Sequence, residues 1–183
     1  DRSKLKISAI HTLQLSGRIF SDLDIEPNAN LVISESFTAH STFGSIRVKQ
    51  NGSLIIANTN SAFIPAFNIH GDLSSDGTFG FTVNYNNKID VKLNGSVQQS
   101  ISGNGIISLP ANLKGFTVDN DIKLYRDLLV RCTYIHISGN VDLNNHNLWT
   151  SGRVTNFTQD KGIAGNNNET SEENVTKPVI PND

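Results

Sequence analysis

The chemistry open to this chain runs through five histidines and seventeen carboxylates. His11, His40, His70, His136 and His146 include no pair at the i, i+4 spacing of a helical metal site. Nor do any two stand at i, i+2, the spacing that puts two ligands on one strand face. His70, in Ile69-His70-Gly71, and His136, between Ile135 and Ile137, fall at the outward phase of a period-two pattern and read as solvated strand residues. Close carboxylates occur at Asp22 with Asp24, Asp72 with Asp76, and Asp119 with Asp121. Paired acids are what glycoside hydrolysis uses, and Asp119-Asn120-Asp121 offers oxygen ligands for a hard cation at a turn. The further ligands of a full cation loop are missing from that stretch. Asp119 and Asp121 are therefore weak metal candidates, and a hydrogen-bonded turn is the stronger reading. The cations that would assist paired acids (Arg47, Lys49, Lys88, Lys92, Arg126, Arg131) are scattered. No G-x-S-x-G, phosphate loop or dinucleotide fingerprint occurs. Catalysis is not supported, and no cofactor is implied.

Composition narrows the remaining classes. The 183 residues are 37% hydrophobic and 17% charged, with a net charge of −2, which argues against a basic nucleic-acid binder. No apolar run reaches the roughly 20 residues of a membrane-spanning helix. The single Cys132 precludes an internal disulfide, and its setting in Leu128-Leu129-Val130-Arg131-Cys132 reads as a buried, inert thiol. Low charge with abundant Asn, Ser, Thr and Gly suits a secreted or cell-surface protein. The opening at Asp1, without an initiator Met, reads as a processed or a trimmed chain, from which any signal peptide would already be gone.

The elements that must carry these residues are short. Leu23-Asp24-Ile25, Ile46-Arg47-Val48, Ile89 to Leu93, Ile135-His136-Ile137 and Val141-Asp142-Leu143 all alternate apolar and polar, the pattern of strands with one face in and one face out. Asp121 to Val130 is the one helical candidate. It lacks a capping box and a clean 3.6 period, so it too reads as strand. Beyond Phe157 the chain turns polar, acidic and Gly/Pro-bearing. Residues 1–157 thus read as one domain and 158–183 as a linker or tail, in which only the segment from Val175 through Val179 and Ile180 has the character of a strand to donate to a neighbour.

The runs recur. Leu23 to Ile33 lies over Ile46 to Ile56 without a gap, 23 residues on, and Gly71 to Phe81 is a looser third copy. A period in the low twenties with one strand–turn–strand per period is the mark of a β-solenoid. The expected fold is therefore all-β, a right-handed parallel β-helix of six or seven coils. Asn51-Gly52, Asp76-Gly77, Asn94-Gly95, Gly103-Asn104 and Gly139-Asn140 supply the corners. The same dipeptides close hairpins, so an antiparallel β-sandwich is the structural rival. Mirrored strand pairs would mark the sandwich, whereas translational copies mark the solenoid.

A family resemblance enters with the last third of this body. Ile101-Ser102-Gly103-Asn104-Gly105-Ile106, Phe116-Thr117-Val118-Asp119-Asn120, Asp127-Leu128-Leu129-Val130 and Ile135 to Trp149 follow one another in order. This succession resembles the repeats of large secreted and cell-surface, adhesin-like proteins of the Bacteroidetes. The resemblance implies a parallel β-helical adhesin or filament module without an active site of its own. Two features depart from it: Arg131-Cys132-Thr133-Tyr134, where small residues are usual, and the phenylalanines Phe63, Phe67, Phe79 and Phe81.

The expected function is that of a non-enzymatic extracellular structural or adhesive module, part of a surface protein or a subunit of a fibre. Its partners would be proteins, through self-association or neighbouring domains. The rival is a carbohydrate-binding or carbohydrate-cleaving β-helix. Trp149 alternates outward if Leu148 points in, and it either docks a following domain or subunit or caps the open end of the core.

Overall fold

The computed structural model describes residues 3–13, 21–35, 41–58, 64–83, 88–150 and 153–155. Val175, Val179 and Ile180 lie outside the described residues, as does Phe63. The strands follow one another coil by coil. β1 (Lys4–Ile7) and β2 (Ile10–Leu13) form the first rung. β3 (Asp22–Ile25), β4 (Asn30–Glu35) and β5 (Ser41–Phe43) make the next coil, and β6 (Ile46–Val48), β7 (Ser53–Asn58) and β8 (Ala66–Ile69) the one after. Then come β9 (Leu73–Ser75), β10 (Thr78–Thr82) and β11 (Asp90–Leu93), followed by β12 (Gln99–Ser102), β13 (Ile106–Ile107) and β14 (Leu109–Val118). β15 (Ile122–Leu124) with β16 (Leu128–Ile137), and β17 (Val141–Asp142) with β18 (Leu148–Thr150) and β19 (Arg153–Thr155), complete the series.

Equivalent strands stack into three sheets. The first runs β1-β3-β6-β9-β12-β15-β17, the second β2-β4-β7-β10-β13, and the third β5-β8-β11-β14-β16-β18 with β19 also on β16. Every ladder among the described residues is parallel. The chain is a parallel β-solenoid, and the antiparallel sandwich is excluded. The segment Asp121 to Val130 is not helical: it holds β15 and the start of β16, joined through Tyr125 to Asp127. The solenoid has about five turns. The count of six or seven from sequence included the outermost rungs, β1–β2 and β17–β19, which are stacked on one side only among the described residues.

The repeat pattern dictates this stacking. Leu23, Asp24 and Ile25 pair with Ile46, Arg47 and Val48, and Asn30 to Ile33 pair with Ser53 to Ile56, all at the 23-residue offset of the sequence copy. A one-residue slip would turn every buried side chain outward, so the apolar phase alone fixes the register. The corner between the first two sheets has four residues in two coils, Glu26 to Ala29 and Lys49 to Gly52. Asn28 and Asn51 there adopt positive φ of 61° and 59°. The next coil makes the same corner with Asp76-Gly77 alone, which shortens the pairing offset from 27 on the first sheet to 25 on the second.

Inside, like stacks on like. Leu23, Ile46, Leu73, Ile101 and Leu124 form one buried column of the first sheet, and Leu31, Leu54 and Phe79 one of the second. Of the phenylalanines that break the repeat pattern, Phe67, Phe79 and Phe81 are buried in the core. Phe67 packs on Phe43 at 5.0 Å and edge-on to Phe81 at 5.6 Å, and Phe79 meets Phe81 edge-on at 5.3 Å. Arg131 to Tyr134 lie in β16, beside the shift in register between Leu109 and Leu113 on β14. Only Ser108 separates β13 from β14, so from this coil onward the second sheet bends straight into the third.

Candidate functional site

The interior is filled with apolar side chains, so the candidate functional residues are those on the outer faces and at the two ends. On the first sheet the outward positions near the two ends are charged and paired from coil to coil, and those between are serines, Ser74, Ser100 and Ser102. Asp24 lies between Lys4 Nζ, at 3.3 Å, and Arg47, at 4.0 Å. Glu26 lies between Lys6, at 3.4 Å, and Lys49, at 2.8 Å. The hydrogen bond from Lys49, with help from Lys6, holds the Glu26 carboxyl below its ordinary value. At the far end Lys123 meets Asp142 at 3.0 Å, which lowers the Asp142 carboxyl and raises the Lys123 ammonium. This alternation has a sequence signal that the strand analysis passed over. Laying Leu23 to Ile33 on Ile46 to Ile56 sets Asp24 against Arg47 and Glu26 against Lys49.

The carboxylates that sequence spacing offered as catalytic pairs have other employment. Asp22, Asp72, Asp76 and Asp121 each accept a backbone N–H from the following coil, from Ser45 at 2.8 Å, Ser100 at 2.7 Å, Asn104 at 2.9 Å and Asn140 at 2.9 Å. Asp127 does the same for Asn147 at 2.8 Å. A charge-assisted bond of this kind satisfies corner donors that the sheet ladders cannot reach. Asp119 is exposed at the same corner as Asp121. Between them, Asn120 accepts from the Asp121 N–H and donates to the Gly95 carbonyl. Among the described residues no group of three or more His, Cys, Asp or Glu is placed to hold a metal ion. Lys4, Asp22, Asp24, Ser45, Arg47 and Asp72 line a shallow depression of about 90 Å³, room for a few waters.

Buried amides brace the remaining corners. Gln99 donates to the carbonyls of Ile69, at 2.9 Å, and Gly71, at 2.5 Å, and accepts the Gly95 N–H at 2.8 Å. Asn94 donates to Asn68, which in turn donates to the Ser41 carbonyl, a short ladder of amides across three coils. On the third sheet the Tyr134 ring lies over Gly115 and reaches Asp90, to which its hydroxyl donates at 3.0 Å. Burial, with Asp90 alongside, pushes this phenol up to about 12. Cys132 is buried, its thiol donates to the Tyr134 carbonyl, and burial raises it to about 11. That is an inert thiol, as its apolar setting implied.

The second sheet is different outside. Its outward column runs Thr12, Val32, Ile55 and Gly80, and Ser108 continues it against Gly80. Past β13, on the third sheet, two large apolar groups face outward: Leu129 and Trp149 pair across β16 and β18, and each is 38% exposed. Trp149 thus points outward on an outermost strand. At the opposite end Ile10, on β2, is 78% exposed. His146 stands 3.6 Å from Asp127, and His136 is bonded to Ser138.

No family model, no curated protein and no solved structure matches the chain, so the fold stands on the geometry above.

Proposed function

We propose that this chain is a non-enzymatic structural or adhesive module, working outside the cell as part of a surface protein or as a subunit of an extracellular fibre. One observation carries the reading. The solenoid ends in strands that are hydrogen-bonded on one side only among the described residues, and large apolar side chains (Ile10 at one end, Leu129 and Trp149 at the other) are exposed there. Parallel rungs of one handed coil are templates for one another, and such edges call for a further coil. The charged side chains support the reading, since they bond coil to coil along the molecule. The four ordered submotifs between Ile101 and Trp149 add the likeness to secreted, adhesin-like repeats.

The test is the assembly state of the purified chain, by light scattering over a wide concentration range and by electron microscopy. Concentration-dependent growth into thin, unbranched particles is the expected result. A monomer at every concentration would overturn the fibre-subunit form of the proposal. Retention on polysaccharide, with or without cleavage, would favour a carbohydrate-active β-helix instead.

A further inference from the structure

The exposed ends differ in charge, and the difference matches the order found inside the sheet. At each end of the outer face of the first sheet, carboxylates face cations on the neighbouring rung, while the middle rungs carry Ser74, Ser100 and Ser102. Asp24 has Lys4 on one side and Arg47 on the other, and Glu26 has Lys6 and Lys49. Asp142, on the outermost strand β17, has Lys123 on the side of β15. Among the described residues, no cation-bearing strand lies on its other side. Its side chain remains 47% exposed. At the other end, the outermost strand β1 presents Lys4 and Lys6, both exposed. We infer that the Asp142 rung docks on the Lys4/Lys6 rung of a second copy of this chain, so that the alternation continues across the junction as Lys123, Asp142, then lysine.

The register of such a junction is constrained. In β1, Leu5 and Ile7 point in while Lys4 and Lys6 point out; in β17, Val141 points in and Asp142 out. Only even offsets keep both apolar sets inside, and each offset near full overlap sets Asp142 against Lys4 or Lys6. The same stacking brings to the junction two further outermost strands, β18 of the third sheet with Trp149 and β2 of the second with Ile10, both side chains exposed. Apolar contact would supply the adhesion, and the charges would select this end over any other.

This inference rests on the self-stacking reading above, and the experiment separates the two. Asp142→Lys should weaken self-association about tenfold or more, because two lysines then face a third, and Lys4→Glu/Lys6→Glu should do the same from the other end. Mixed one to one, the two variants carry complementary ends at both junctions and should assemble as the wild type does, less so as salt is raised. Analytical ultracentrifugation of each chain and of the mixture reads all of this, with circular dichroism confirming the fold. Should the double variant fail to fold, Lys4→Glu takes its place. Wild-type assembly in both single-end variants, or no recovery in the mixture, would overturn the junction while leaving self-stacking in place. A wild-type chain that never associates would overturn both.

Discussion

The first and second sheets are alike inside and opposite outside. Each buries continuous columns of Leu, Ile and Phe, including Leu23, Ile46 and Leu73 in one and Leu31, Leu54 and Phe79 in the other. The first carries paired charges on its solvent side at both ends, Lys4 to Lys49 over the first three rungs and Lys123 with Asp142 over the last two, with Ser74, Ser100 and Ser102 between. The second carries Thr12, Val32, Ile55 and Gly80 in its outer column, and no charge there. Burial therefore builds both sheets, and the outer residues add something else. An apolar outer column accepts any rung as neighbour, whereas alternating charge penalises a rung of the wrong sign. The first sheet specifies which rung goes where.

The comparison breaks most severely if the insides are not equivalent. Val48→Asp, on the first sheet, and Leu54→Asp, on the second, each put an unpaired charge into a fully buried column. Each should cost more than about 4 kcal/mol, a large share of a domain's ordinary stability, so the urea midpoint should fall steeply in both. If one sheet tolerated the charge, the shared-core account would fail.

Much of this was legible in the sequence because translation is legible. The gapless 23-residue copy from Leu23 to Ile33 becomes the pairing of β3 with β6 and of β4 with β7, residue for residue. What stayed hidden depends on offsets between looser copies. The corner at Asp76-Gly77 is two residues shorter than its neighbour, so a fixed period loses the count beyond it. Asp22, Asp72 and Asp121 looked like members of acid pairs because spacing along the chain was all there was to compare. Their partners lie one coil away, 19 to 28 residues on. Tyr134 reaches Asp90 across 44 residues, over a glycine, and no local pattern encodes that.

A second test compares two glycines. Gly77 sits in the tight corner, where a Cβ would overlap the carbonyl oxygens of Gly52 and Lys49. Gly77→Ala should destabilise by about 2 kcal/mol, since backbone rather than a flexible side chain must yield. Gly80 lies in the outer column of the second sheet, where a Cβ would meet Ser108 at 3.5 Å and Ile55 at 3.7 Å, ordinary contact. Gly80→Ala should stabilise by about 0.5 kcal/mol. Urea midpoints check both, and equal costs would contradict the open outer face.

The charges themselves give a pH signature. Glu26 titrates below its ordinary value of 4.5 because Lys49 and Lys6 bond its charged form. Its contribution is therefore complete above that value and is lost as pH falls through the lowered one. Comparing thermal midpoints at about pH 6 and about pH 3, Glu26→Gln should lessen the acid-induced drop, and Val32→Thr on the second sheet should leave it unchanged. A drop equal in all three chains would show that the first sheet's charges do not set its acid sensitivity.

The smallest expected effect is the sharpest check on register. Gln50 follows Val48 by two residues, and a continued strand would bury it in the same column. Instead the chain has already entered the corner, and Gln50 is exposed. Gln50→Ala should change stability by less than about 0.5 kcal/mol, measured beside Val48→Asp in the same urea series. If the two substitutions cost alike, the strand would run on past Val48. The corner that lets Lys49 reach Glu26 would then be misplaced, and with it the paired charges that set the first sheet apart from the second.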